Sequence, residues 1–330
     1  MIFLLFILLF GAQDFYSLMG EKSSRWSFVN CAEDRQQLER YASLYDRNAA
    51  LQFEKNEKEK IPSDLHLIWL GPRPFPSESV ENIRMWRSAH PNWTFHFWTD
   101  RARPAPIQGM VLHQADDFPF QELGDYYKES SNWGQKSDLL RYEILQQRGG
   151  IYIDHDANCL RSFDGLRKGY DFFACLEMPH ARVAGYSVTA GIGILGAVQE
   201  HPVISGAIEE VKTHWEESKN LFPQTSPKSV REYVMHSTYM ATTRSMQKHL
   251  DQPGFTDIIL PACYFYPQKG FKPLYSFHYY GTSWAGIEKR GTFEKEIKKS
   301  LRNSVKLKNW LYLLLALAIP LSFFRRRQCS

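Results

Sequence analysis

Two aspartates separated by one residue, Asp154 and Asp156, are the residues of this sequence best suited to chemistry. They end the segment 150–156, in which apolar residues after two glycines predict a buried strand. Because strand side chains alternate between faces, Tyr152, Asp154 and Asp156 are predicted to share one face. Neighbouring carboxylates repel each other, and a hard cation such as Mn²⁺ or Mg²⁺ relieves that repulsion. The pattern predicts a divalent-metal site at a strand end.

A cation in this place could bridge a diphosphate and neutralise the charge that builds on it as a leaving group. Pairs of this kind also occur on solvated strand ends, but the position after a buried strand favours a site. A metal-dependent phosphohydrolase could use the same carboxylates, although it would need further acidic or histidine ligands. A carbohydrate-binding protein with a degenerate site is the alternative without enzymatic activity.

The preceding segment, 137–147, is predicted to be a helix that begins at Ser137 and ends at two glycines. Asp138 and Arg141 are three residues apart and therefore lie on one face of that helix. By themselves they would be an ordinary ion pair. Because the helix leads directly into the strand that carries Asp154, we expect both to lie near sugar hydroxyls and phosphate.

The rest of the chain alternates between strand and helix patterns, which predicts an α/β domain with a largely parallel sheet. Strands are predicted at 65–70, 94–98, 172–176, 192–196 and 258–266. Helices are predicted at 78–89 and after Pro202, and the charged segment 31–60 is predicted to be an amphipathic helix. These elements would place the two aspartates at one edge of the sheet.

The segments 133–142 and 149–156 resemble the core motif of the DXD-containing sugar transferases. That family includes mannosyltransferases such as the mannosyl-inositol-phosphoceramide synthases, the α-1,4-galactosyltransferases and, more distantly, the clostridial glucosylating toxins. Further similar motifs, in the same order, extend the resemblance over about residues 61 to 285. The resemblance implies a GT-A fold, a Rossmann-like and mostly parallel α/β domain. It also implies a nucleotide-sugar donor bound at the carboxyl ends of the strands, usually with Mn²⁺ or Mg²⁺.

The same resemblance implies roles for individual residues. Trp69 would stack on the donor base, although its own context is equally typical of a core tryptophan. Asp138 and Arg141 would hold the donor sugar and phosphate. Tyr152 would lie near the nucleotide.

The resemblance also implies roles for residues near the metal and in a loop. Asp154 would contact ribose and sugar, and Asp156 would bind the metal directly. Ser283 and Trp284 resemble a loop that closes over the diphosphate. His278 would approach the metal, although an isolated histidine is more often structural. Together these roles imply a retaining transferase that moves a hexose from a UDP- or GDP-sugar to a glycolipid or other glycan acceptor.

The two ends of the chain are apolar. The sequence divides into a leader or anchor (1–20), a helical extension (21–60), the transferase domain (61–290), a basic segment (291–309) and an apolar tail (310–330). The apolar run at 310–324 is shorter than the ~20 residues of a straight transmembrane helix, but basic residues flank it on both sides. We expect a membrane-embedded tail, in a compartment such as the Golgi or the endoplasmic reticulum. The net charge of +4 does not indicate nucleic-acid binding.

Overall fold

The strands of the central sheet follow the apolar runs of the sequence. In a computed structural model of the chain, the described residues are 14–54, 59–267 and 273–279. The strands among them are β1 (Asp64–Ile68), β2 (Thr94–Thr99), β3 (Val111–Gln114), β4 (Gly150–Ile153), β5 (Ala157–Cys159), β6 (Phe172–Leu176), β7 (Ala190–Ala197), β8 (Asp257–Leu260) and β9 (Ser276–His278).

Helices alternate with these strands. They are α1 (Phe15–Leu18), α2 (Ala32–Asn48), α3 (Ser77–Ala89), α4 (Gly124–Glu129), α5 (Trp133–Arg148), α6 (Asp164–Gly169), α7 (Pro202–Leu221), α8 (Pro227–Val234) and α9 (Ala241–His249). A π-helical turn, Met235–Tyr239, joins α8 to α9, and short 3₁₀ turns lie at Ser24–Phe28, Ala49–Phe53, Ala115–Asp117 and Ala262–Tyr264.

The strand order of the large sheet is β3-β2-β1-β4-β7-β6-β8, and β5 pairs with β9 in a separate two-stranded sheet. In the large sheet, strand β7 is antiparallel to both of its neighbours, β4 and β6, whereas the other pairs are parallel. The β5–β9 pair is antiparallel. The predicted α/β fold with a largely parallel sheet is therefore confirmed, with β7 as its one exception in the described sheet. Six strands consequently end at the same edge, where ligands of α/β sheets bind.

The core contains the apolar positions that the sequence periodicity indicates. Ile204, Ile208, Val211 and Trp215 of α7 are all buried, as expected for one face of a helix. Every residue of β7 is buried, which is typical of a strand covered on both faces.

Several predicted boundaries are wrong. Helix α5 begins at Trp133 instead of Ser137, because the side chain of Asn132 accepts a hydrogen bond from the Gln135 backbone N–H and caps the helix one turn earlier. The predicted helix over 31–60 ends at Asn48, where a 3₁₀ turn follows. Strand β8 ends at Leu260 rather than continuing to residue 266, because Pro261 leads into a 3₁₀ turn.

The ends of the chain give two further observations. Residues 14–20 of the predicted leader include Phe15, Leu18 and Met19, which are buried in the core. Within the described residues, no helix combines the length and apolar character needed to cross a membrane. The predicted tail at 310–330 and the basic segment at 291–309 lie outside the described residues.

Candidate functional site

The two aspartates lie in a tight turn at the carboxyl end of β4. The predicted strand over 150–156 is too long, because β4 ends at Ile153 and β5 begins at Ala157. The backbone N–H of Asp154 donates to the carbonyl of Gly193 on β7 at 2.7 Å, and the Ala157 N–H donates back to the Asp154 carbonyl at 3.2 Å. The turn, rather than strand alternation, therefore brings Asp154 and Asp156 together.

One face of helix α3 holds this turn in place. Ser79 hydrogen-bonds His155 Nδ1 at 2.8 Å, and the Asn82 side-chain amide donates to the His155 carbonyl at 3.1 Å. One turn further along, the Trp86 indole donates to the Ala157 carbonyl at 3.0 Å. All three α3 residues are buried, so the residue between the two aspartates is fixed by contacts that solvent does not loosen.

His278 joins the two aspartates through strand pairing. In the β5–β9 ladder, His278 lies opposite Ala157, which follows Asp156 directly. Its Nε2 atom is 3.3 Å from Asp154 Oδ2 and 3.5 Å from Asp156 Oδ1. Ligand atoms of the three side chains all lie within 4.8 Å of one another. Two carboxylates and one imidazole form a mixed oxygen and nitrogen donor set that fits Mn²⁺.

The charged side chains of this cluster shift one another's pKa values. Burial alone would lower the pKa of His278, but the carboxylates of Asp156 and Asp154 raise it to about 9. Burial would also raise the pKa of Asp154, yet Arg141 and His278 outweigh it and hold that pKa at about 2. The Asp154 carboxylate and the protonated His278 ring thus stabilise each other. A divalent cation would supply the same positive charge between the two aspartates.

Arg141 connects helix α5 to the turn. Its Nη2 atom is 3.2 Å from Asp138 Oδ1 and 3.3 Å from Asp154 Oδ1, and it also donates to the Tyr152 hydroxyl at 3.0 Å. Its Nη1 donates to the Ile192 carbonyl, and the guanidinium lies over the Tyr152 ring at 3.9 Å. Tyr152 in turn donates to Asp154 Oδ1 at 2.6 Å. The predicted neighbours Asp138, Arg141, Tyr152 and Asp154 therefore form one connected network.

Asp138 is buried at the back of this network. Burial raises its pKa to about 6, although the Arg141 cation and a hydrogen bond from Thr238 oppose that rise. Thr238 Oγ1 donates to Asp138 Oδ2 at 2.7 Å. Since Arg141 contacts one of its oxygens and Thr238 the other, Asp138 stabilises the position of Arg141 and of the π-helical turn.

Gly193 makes room for the cluster. A Cβ atom at this position would lie 2.4 Å from His278 Nε2 and 2.9 Å from Asp154 Oδ2. Glycine is therefore needed here for space, since the ring and the carboxylate occupy the volume of a side chain.

Gly193→Ala is expected to displace His278 and to weaken Mn²⁺ binding by about 10-fold, the lower end of the range for changes around metal ligands. Electron paramagnetic resonance of added Mn²⁺, which reports the free ion, would measure the affinity. Unchanged affinity in a variant that unfolds at the same urea concentration as wild type would contradict this role.

Trp69 follows β1, at the same edge of the sheet. Its ring packs edge-on against Phe75 and His155, with centroids 5.6 and 4.8 Å apart, and its indole N–H donates to the Arg73 carbonyl at 2.9 Å. The side chain is only partly buried, so both the base-stacking role and the core role stay open. Ser283 and Trp284 lie outside the described residues, and their role remains a prediction.

Trp69→Ala is expected to weaken binding of UDP or GDP by ~1–3 kcal/mol if the ring stacks on the base. Calorimetric titration of the purified variant would measure this loss. A folded variant with normal nucleotide affinity would show that Trp69 only packs against Phe75 and His155.

Sequence reasoning missed some residues of the site. Ser79 and Thr238 carry no signal of their own, because their partners are 76 and 100 residues away in the chain. Gly193 had a weak signal, since Gly191 and Gly193 alternate within an otherwise apolar strand.

A sheet whose strands end at a cluster of carboxylates is typical of enzymes that bind nucleotides and phosphorylated ligands. Residues 76–173 match the family described as a glycosyltransferase sugar-binding region containing a DXD motif. This match includes the turn that carries Asp154 and Asp156, and the face of α3 that contacts His155 and Ala157. The chain therefore contains a sugar-binding region of the DXD-motif glycosyltransferases.

The sequence identity to individual relatives is low. The chain is 27% identical over 181 residues to an uncharacterized glycosyltransferase, L373, of Acanthamoeba polyphaga mimivirus, covering 54% of this chain and 66% of that one. It is 27% identical over 159 residues to inositol phosphoceramide mannosyltransferase 1 of Schizosaccharomyces pombe, covering 47% and 44%. The chain thus spans less than half the length of the second relative. The solved structure of PaToxG glycosyltransferase gives a TM-score of 0.46 at 13% identity, covering 67% of this chain and 81% of that one.

Proposed function

We propose that this chain is a metal-dependent, retaining glycosyltransferase of the GT-A fold. It moves a hexose from a UDP- or GDP-sugar to a membrane-associated acceptor. The observation that carries this proposal is the cluster of Asp154, Asp156 and His278, whose ligand atoms lie within 4.8 Å at the carboxyl edge of the sheet. The match of residues 76–173 to this family supports the transfer of sugar over the hydrolysis of phosphate esters.

Each residue of the site has a defined task in this proposal. Mn²⁺ or Mg²⁺ held by Asp154, Asp156 and His278 would offset negative charge on the diphosphate leaving group. Arg141 is buried and holds Asp154 and Asp138 in position, so it adds a fixed positive charge behind the metal ligands. Tyr152 orients Asp154 through its hydroxyl.

A glycolipid acceptor is favoured, and a membrane-proximal glycoprotein is the second choice. The support is that several relatives are named as inositol phosphoceramide mannosyltransferases or mannosyl phosphorylinositol ceramide synthases. The apolar tail at 310–330 and the basic segment before it would hold the domain at a bilayer. Such tethering raises the effective concentration of a lipid acceptor.

The proposal is tested with a panel of UDP- and GDP-hexoses. We expect the purified protein to hydrolyse at least one of them slowly, and only with Mn²⁺ or Mg²⁺ present. Transfer to vesicles that contain inositol phosphoceramide should then yield a product with the anomeric configuration of the donor. Failure to hydrolyse any nucleotide-sugar would refute the enzymatic proposal.

Removal of the tail tests the membrane part separately. A chain that ends at Lys299 is expected to leave the membrane fraction, to keep donor hydrolysis nearly unchanged, and to lose most of its transfer to vesicles. The comparison is full-length protein in the same vesicle assay. If full-length protein washes off membranes in carbonate or high salt, the embedded tail is refuted.

A further inference from the structure

The π-helical turn Met235–Tyr239 has three consecutive side-chain hydroxyls, two that contact helix α5 and one that contacts the residue after β6. Ser237 accepts a hydrogen bond from Gln135 at 2.7 Å, and Thr238 donates to Asp138. Tyr239 donates to Glu177 Oε1. The first two contacts hold helix α5, which carries Arg141. The third reaches a carboxylate with no assigned task, and π-helical turns are frequently found at functional sites.

Glu177 lies at the same sheet edge as the metal cluster. It directly follows β6, and its backbone N–H donates to the Thr189 carbonyl at 2.9 Å, which extends the β6–β7 pairing. On the opposite side of β7, the Asp154 N–H donates to the Gly193 carbonyl. Glu177 and Asp154 therefore leave the two strands that flank β7 at their carboxyl ends.

Between these two carboxylates, strand β7 has glycine at two positions, Gly191 and Gly193. A Cβ atom at Gly191 would overlap the Tyr266 hydroxyl, just as one at Gly193 would meet His278. The Tyr266 and His278 rings lie 5.6 Å apart and fill this space. The two carboxylates thus lie on either side of a buried pair of rings.

The Glu177 carboxylate is suited to bind a hydroxyl. Its side chain is partly exposed, and in the part of the chain that the structure describes Tyr239 alone donates a hydrogen bond to it. A carboxylate accepts several hydrogen bonds, so one donor leaves most of its capacity for a ligand.

We propose that Glu177 binds the acceptor, by accepting a hydrogen bond from a hydroxyl of its sugar or inositol ring, and that Tyr239 orients the carboxylate for this contact. The inference rests on the proposed function and adds an acceptor-binding residue to it. It predicts that Glu177 matters for transfer to an acceptor and not for binding or hydrolysis of the donor.

The experiment compares two reactions of the full-length protein with the same nucleotide-sugar: hydrolysis by water, and transfer to vesicles that contain inositol phosphoceramide. Glu177→Gln keeps the shape and removes the charge. We expect transfer to fall by about 10- to 100-fold, mainly through a higher acceptor KM, because hydrogen bonds to charged groups are the stronger ones. Hydrolysis and the Mn²⁺ affinity should stay within about threefold of wild type.

Two further variants make the result specific. Tyr239→Phe should reduce transfer less than Glu177→Gln does, and should add little in the Glu177→Gln background, because both changes act on one interaction. Glu200→Gln is the matched control. It is the same substitution at an exposed residue beyond the other end of β7, and it should change neither reaction.

Each outcome of these measurements supports or contradicts the proposed role of Glu177. If hydrolysis and transfer fall together, Glu177 acts on the donor or the metal, and the inference is wrong. It is equally wrong if neither reaction changes, or if wild-type protein hydrolyses the donor without transferring to this lipid. Absence of hydrolysis in wild type would instead remove the proposed function itself.

Discussion

Asp156→Asn is expected to lower turnover at least ~10²-fold, which corresponds to about 2.7 kcal/mol of lost transition-state stabilisation. Asparagine keeps the shape of the side chain but removes the charge that would hold the cation. Asp156 is buried next to His278, so water cannot substitute for the missing carboxylate. Metal-dependent hydrolysis of the best nucleotide-sugar, followed by nucleotide release, measures the effect.

Asp125→Asn is the control for this substitution. The Asp125 side chain is fully exposed on α4, so the same chemical change should leave turnover unaltered. Full activity of Asp156→Asn, or of wild-type protein in EDTA, would rule out the metal-binding role.

Arg141→Met is expected to lower the free energy of unfolding by about 3–5 kcal/mol, because it leaves buried carboxylates without their cation. Arg141 is buried and contacts both Asp138 and Asp154. Removing one partner of a buried ion pair costs more than the pair contributes, since the remaining charge stays desolvated. Urea unfolding monitored by tryptophan fluorescence measures the loss.

A second substitution tests the cause. Asp138→Asn in the Arg141→Met background should recover part of the lost stability, because it removes one uncompensated charge. Arg84→Met is the matched control, since the Arg84–Glu81 pair is exposed and should contribute less than ~1 kcal/mol. A loss below ~1 kcal/mol for Arg141→Met would contradict the proposed network.

The proximity of most of the candidate site residues was predictable, because these residues are close in sequence. Asp138, Arg141, Tyr152, Asp154 and Asp156 lie on one helix, the strand that follows it and the turn after that strand, so local periodicity and the family motif were enough. The predicted strand alternation was nonetheless the wrong reason for the proximity of the aspartates. The chain turns after Ile153, and β5, with three residues, is too short to show the period that would have marked the end of β4.

Long-range pairing accounts for what could not be predicted. His278 was expected near the metal from the family resemblance alone, because it reaches the cluster through the pairing of β9 with β5 across more than 100 residues of chain, and no local pattern marks that pairing. The antiparallel direction of β7 is of the same kind, since a buried apolar strand has the same sequence pattern in either direction. Short strands such as β3 and β9 also have too few residues to show a period.

The most direct test of the central claim is a titration of the purified protein with Mn²⁺ in the presence of UDP or GDP, monitored by electron paramagnetic resonance. The account predicts about one bound ion per chain, as expected for one cluster of three ligands, and loss of that ion in Asp156→Asn. No bound ion in wild type, or an equal affinity in the folded Asp156→Asn protein, would contradict it.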